Sequence, residues 1–99
     1  MNRIELKRNG KPDFDDLGLC LDVASGFWSR LKGLLGRSDL AEDRGILIYP
    51  CNRIHTIGMK FSIDVIFLSK TGEILKIVSD LQPCKQAGSK GGYFVIELA

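Results

Sequence analysis

The chain has 99 residues, 44% of them apolar and 26% charged, values that suit one folded domain around one core and exclude disorder beyond the tails. Fourteen Lys and Arg stand against twelve Asp and Glu, so the formal charge is only +2, with no basic stripe for nucleic acid and little field to steer an anionic membrane. No apolar run approaches the ~20 residues of a membrane span, and the charged start lacks the apolar stretch of a secretory signal.

In chain order, residues 1–17 are polar and read as a loop-rich N-terminal segment of a single domain over 1–99. Within it, Pro12 with Asp13, Asp15 and Asp16 marks a loop. Residues 3–7 and 17–23 are expected to form a β pair, because Leu19, Leu21 and Val23 alternate with Gly18, Cys20 and Asp22. The period then changes. Phe27, Trp28, Leu31, Leu34 and Leu35 form one stripe of an α-helix, with Ser25 as N-cap and Gly36 at its end. Residues 37–44 read as a loop.

The remainder reads as strands. Gly45-Ile46-Leu47-Ile48-Tyr49 is an apolar run stopped by Pro50. Residues 62–69 are rich in Ile, Val and Phe. Thr71-Gly72 makes a turn, and residues 73–78 follow as the hairpin partner. A loop over 79–92 then leads to Tyr93-Phe94-Val95-Ile96-Glu97-Leu98. One helix with five or six short strands predicts an α+β fold, mostly antiparallel: a small barrel-like or curled sheet packed with one principal helix.

The chemistry concentrates in Cys51-Asn52-Arg53-Ile54-His55-Thr56-Ile57-Gly58-Met59-Lys60 and the strand that follows. The segment and strand hold a thiol, the chain's one histidine and Asp64. A nucleophilic site would use Cys51 as thiolate, His55 as base and Asp64 to orient the imidazole, since a thiol needs a neighbouring base to ionise at neutral pH. A metal site would draw on Cys51, His55 and Cys84, but no Cys-x-x-Cys pair supports it, and no metal is expected. A binding site would use the loop itself, as small β domains bind through loops at one end. Asp64 lies on the same strand face as Ile66 and Leu68, where a carboxylate needs a donor or a cation. The expected partners are backbone N–H groups of residues 54–58, or the cations Arg53, Lys60 or Arg30. Glu97 poses the same question, with Arg30 as its expected partner.

Read together, Ser29-Arg30-Leu31-Lys32-Gly33-Leu34-Leu35-Gly36-Arg37, Gly45-Ile46-Leu47-Ile48, His55-Thr56-Ile57-Gly58-Met59-Lys60, Ile63-Asp64-Val65-Ile66-Phe67-Leu68, Gly72-Glu73-Ile74-Leu75 and Val95-Ile96-Glu97-Leu98 resemble the prokaryotic family called domain of unknown function 192. The resemblance spans roughly residues 19–99 and implies a compact, β-rich, barrel-like fold with one principal helix. It implies no activity. Members more often carry an aromatic-Trp-Met sequence where this chain has Ile57-Gly58-Met59. They also usually continue through a further short strand after the Glu-Leu, which leaves an expected open edge at the last strand of this chain.

The reading is therefore a non-catalytic accessory domain that binds a small ligand or a protein through residues 51–60 and the adjoining strand ends. His55, Thr56, Met59 and Asp64 are its binding residues. The alternative is a thiol-dependent hydrolase or transferase centred on Cys51, His55 and Asp64. No cofactor, metal, nucleic acid or membrane is expected, and a homodimer would pair through the last strand. Three widely spaced cysteines, Cys20, Cys51 and Cys84, suit reduced thiols in the cytoplasm.

Overall fold

The computed structural model describes residues 3–14, 20–24, 44–56 and 59–98. Seven strands run in the order β1 (Cys20–Ala24), β2 (Arg44–Ile48), β3 (Arg53–His55), β4 (Ile63–Leu68), β5 (Ile74–Leu81), β6 (Gln86–Gly88) and β7 (Phe94–Leu98). Five of them form one sheet in the order β1-β2-β7-β4-β5, and β3 with β6 forms a second. In the large sheet β1 and β2 are parallel and every other pair is antiparallel.

Composition decides which strands are central. β2, β4 and β7 are near-continuous apolar runs, the pattern of strands covered on both faces. On β4, Ile63, Val65 and Phe67 point to one face and are at most 1% exposed; Ile66 and Leu68 point to the other. On β7, Val95 joins the first set, while Phe94 and Ile96 join the second. Two cores result. The first lies between the large sheet and the β3–β6 ribbon, which contributes Ile54 and, half-buried, Ala87. The second holds Leu47, Leu68, Phe94 and Ile96 and is covered by the N-terminal segment through Phe14 and Ile4.

These arrangements correct the expected α+β, barrel-like architecture. Every element among the described residues is a strand, and the large sheet is open, with β1 and β5 as separate edges. A barrel closes a sheet on itself so that its two edges pair. Here the sheet instead buries both faces of its central strands beneath separate layers, which leaves nothing for closure to cover. Residues 27–35, read as the helix, lie outside the described residues.

Other expectations change in detail. Among the described residues, 3–7 do not pair with 20–23: Arg3 bridges Glu73, Leu6 bridges Pro12, and Cys20–Ala24 pairs with Arg44–Ile48. The expected 79–92 loop holds the end of β5 and all of β6. β6 is Gln-Ala-Gly, without a β-branched or aromatic residue, and is a strand because β3 pairs with it rather than by propensity. β7 is bonded on both sides, by β2 and β4, so the expected free edge at the last strand is absent. The turn after β4 is as expected: Gly72 sits at φ +94° and its N–H donates to the Ser69 carbonyl at 3.0 Å.

Candidate functional site

The segment between β2 and β4 is built around a fully buried threonine. The Thr56 hydroxyl donates to the Gln82 carbonyl at 2.6 Å and accepts from the Lys85 amide at 2.8 Å. Its own N–H donates to the Lys85 carbonyl at 2.8 Å, and its carbonyl accepts from the amides of Met59 and Cys84, each at 3.1 Å. One residue thus clips residues 82–85 against the end of β3. A buried hydroxyl is tolerable only when satisfied, and this one is satisfied in both roles.

On β3 the side chains alternate. Ile54 is buried in the first core, while Arg53 and His55 are exposed on the outer face. His55 pairs in register with Gln86, and Arg53 donates to Gln86 Oε1 at 3.4 Å. Cys84 stands at φ +66°, a left-handed conformation that costs an L-residue roughly 1–2 kcal/mol. The Thr56 clip holds it there. His55, Cys84, Lys85 and Gln86 line a depression of about 390 Å³ on this outer face. Its walls offer an imidazole, an ammonium, an amide and an exposed thiol, a donor-rich surface for a small polar or anionic group.

The residues singled out in the sequence fall into three settings. His55 is at the depression. Thr56 is buried beside it and bonded to Lys85, and Met59 is buried in the first core with its amide on the Thr56 carbonyl. Asp64 is elsewhere: its Oδ1 accepts from the Asp80 amide at 2.9 Å, a donor outside the expected set, while residues 57 and 58 lie outside the described residues. Asp80 has φ +55° and sits where the β4–β5 register shifts, so Asp64 fastens a bulge. A bulge donor of this kind leaves no signature in the sequence of β4.

Cys51, His55 and Asp64 do not converge. Cys51 is half-buried against the first core, and its Sγ donates to the Arg53 carbonyl at 3.1 Å. His55 points away from that core, as the neighbour of inward Ile54, and Asp64 lies on the opposite strand face from Ile63 and Val65. Among the described residues no three His, Cys, Asp or Glu side chains are grouped to hold a metal ion.

Glu97 is buried at 4% exposure. Alternation places it with Val95 on the first-core face, and its register partners are Ile46 and Val65. Burial among these groups pushes its carboxyl up to about 7. Arg30, its expected partner, lies outside the described residues. Lys85 and Gln86 escaped the sequence reading because nothing in Lys-Gln-Ala-Gly announces a strand end.

Fold and site together define a small two-sheet β domain with a polar depression at the end of its minor ribbon. The chain belongs to the DUF192 family, described only as "Uncharacterized ACR", whose profile matches residues 10–99. Among curated proteins none matches it. Two crystal structures are similar. A protein of unknown function from Novosphingobium aromaticivorans superposes with a TM-score of 0.74 at 18% identity, over 81% of this chain and 62% of that one. A protein from Sinorhizobium meliloti, provisionally called a transcription regulator, gives 0.73 at 23% identity, over 81% of this chain and 67% of its own. At these identities the likeness is one of fold. No helix among the described residues is long and apolar enough to cross a membrane.

Proposed function

We propose that this chain is a non-catalytic binding domain that takes a small anionic ligand, or an acidic group of a protein partner, at the end of the β3–β6 ribbon. The observation that carries the reading is the depression lined by His55, Cys84, Lys85 and Gln86, set on a loop that Thr56 fixes from below. His55 and Lys85 meet the ligand. Thr56 and Met59 hold the loop in place, and Asp64 keeps β5 in register behind it. Preorganised donors of this kind bind without first ordering a loop, which preserves affinity. The divergent faces of Cys51, His55 and Asp64 favour binding over thiol chemistry. The regulator label of the Sinorhizobium meliloti protein is not carried over, because a charge of +2 with mixed signs offers no duplex footprint. The odd count of three widely spaced cysteines supports a reducing, cytoplasmic setting.

The test uses Cys84 as a reporter. Alkylation of Cys84, read peptide by peptide by mass spectrometry, is measured against a panel of small carboxylates, phosphates and sulfonates. At least one panel member should slow the labelling saturably, and Lys85→Ala should remove that protection. No protection by any member, or protection that survives in Lys85→Ala, contradicts the proposal.

A further inference from the structure

The second core ends in an aromatic cluster that the functional reading leaves unused. Tyr49 follows β2, Tyr93 precedes β7 and Phe94 opens β7. The Tyr93 N–H donates to the Leu68 carbonyl at 2.8 Å, and its carbonyl accepts from the Cys51 amide at 2.9 Å. The ends of β4 and β7 and the chain leaving β2 are thereby joined at one point. The rings of Tyr49 and Tyr93 stack at 6.3 Å and 28°, and Phe94 meets Tyr93 edge-on at 4.8 Å. These are favoured ring geometries, so the cluster is a firm floor.

Two lysines from distant parts of the chain reach this floor. Lys11 Nζ lies 5.5 Å from the Tyr49 ring centroid, and Lys70 Nζ lies 5.3 Å from that of Tyr93. Both fall within cation–π range, which limits the freedom of otherwise mobile side chains. Together with Leu6 and the residues 9–11 turn, these groups line a cavity of about 250 Å³, and among the described residues no acidic side chain lines it. Two cations, two phenols and apolar walls make a site for an anion that also has a flat, apolar body.

The remaining chemistry narrows the class. Of the turn residues that line the cavity, Gly10 and Lys11 have their amides engaged, by the Lys7 carbonyl and by Asn9 Oδ1. The cavity wall over Gly10 and Lys11 therefore offers no run of successive free N–H groups of the kind that cradles phosphate. The volume lies below the range of drug-sized pockets, roughly 300–1,000 Å³, which points to a single-ring ligand. We infer that the cavity walled by Lys11, Tyr49, Lys70 and Tyr93 binds a small planar carboxylate, an aromatic monocarboxylic acid. The carboxylate pairs with the ammonium groups and the ring packs on the tyrosines and Leu6. The site is independent of the β3–β6 depression, since its aromatic floor belongs to the opposite core.

The experiment is an amide-resolved NMR titration of the full chain with sodium benzoate, benzamide, cyclohexanecarboxylate and inorganic phosphate. Benzoate should shift the amides of Lys11, Lys70 and Tyr93 saturably and leave His55 and Gln86 unmoved. Benzamide, without the charge, and cyclohexanecarboxylate, without the flat ring, should each bind about tenfold more weakly, and phosphate should not saturate these amides. Lys70→Gln, at an exposed turn, should weaken benzoate about tenfold, and Lys11→Gln should do the same. Absence of saturable benzoate shifts overturns the inference. So does equal binding of benzamide or of phosphate, or a benzoate affinity unchanged in both lysine variants.

Discussion

Thr56 shows how one side chain can set a local structure. Replacing it with valine keeps the shape and removes the hydroxyl, stranding the Gln82 carbonyl and the Lys85 amide. The cost of such orphaned groups is about 1–3 kcal/mol, and a domain of this size loses roughly 4–8 °C of melting temperature per kcal/mol. Thr56→Val should therefore melt several degrees lower in calorimetry, whereas Thr56→Ser, which keeps the hydroxyl, should recover most of the loss. Glu97 carries a pH signature. Its folded carboxyl stands near 7 against an ordinary value of 4.5, so the native state holds a proton that the unfolded chain releases. Its stabilising effect is greatest below pH 4.5 and is lost as pH rises towards 7, by about 3 kcal/mol over that window. In denaturant titrations the stability of Glu97→Gln relative to the parent should rise across that window and level off above it. A difference that stays flat from pH 4.5 to 8 contradicts the burial argument. Cys51, with its Sγ donating to a carbonyl and half-buried, should alkylate with iodoacetamide near pH 6 more slowly than exposed Cys84. Faster labelling at Cys51 would restore the thiol-enzyme reading.

At the scale of elements, the β4–β5 turn is where the N-terminal segment is pinned. The Ile4 amide donates to the Gly72 carbonyl at 2.8 Å, and a Cβ on Gly72 would collide with the Ile4 carbonyl oxygen. Gly72→Ala combines that clash with a positive φ and should cost more than the roughly 1–2 kcal/mol of the backbone conformation alone. Thermal melts check this, with exposed Lys90→Ala as the silent control. Strands β2, β4 and β7 were legible in the sequence because apolar runs of β-branched and aromatic residues say "buried strand" regardless of context. β6 was not legible: a three-residue Gln-Ala-Gly strand exists only through its partner. β5 was read as ending at residue 78, since Ser79 and Asp80 are exposed and polar, whereas the strand continues to half-buried Leu81 past a bulge that Asp64 fixes from the neighbouring strand. Of the candidate site, His55 could be found as the chain's one imidazole beside strand ends. Its companions Lys85 and Gln86 come from 30 residues further on and are brought there by Thr56, a long-range bond with no local signature.

The described residues form a five-stranded open sheet with a core on each face, one covered by the β3–β6 ribbon and the other by the N-terminal segment. The functional features divide along the same plane. The depression with His55 and Lys85 belongs to the ribbon, and the lysine–tyrosine cavity belongs to the other face. The ribbon is the smaller layer, three residues per strand, and it keeps its shape through the Thr56 clip rather than through sheet size. The central claim is that this ribbon end is the recognition surface. It is tested most directly by mapping amide shifts on the labelled chain while small carboxylates, phosphates and sulfonates are titrated in. The account predicts saturable shifts at His55, Lys85 and Gln86 for at least one compound, lost together in a His55→Ala, Lys85→Ala double variant whose spectrum remains folded. Titrations that move no amide of the ribbon end, or that move it equally in the double variant, would contradict the account.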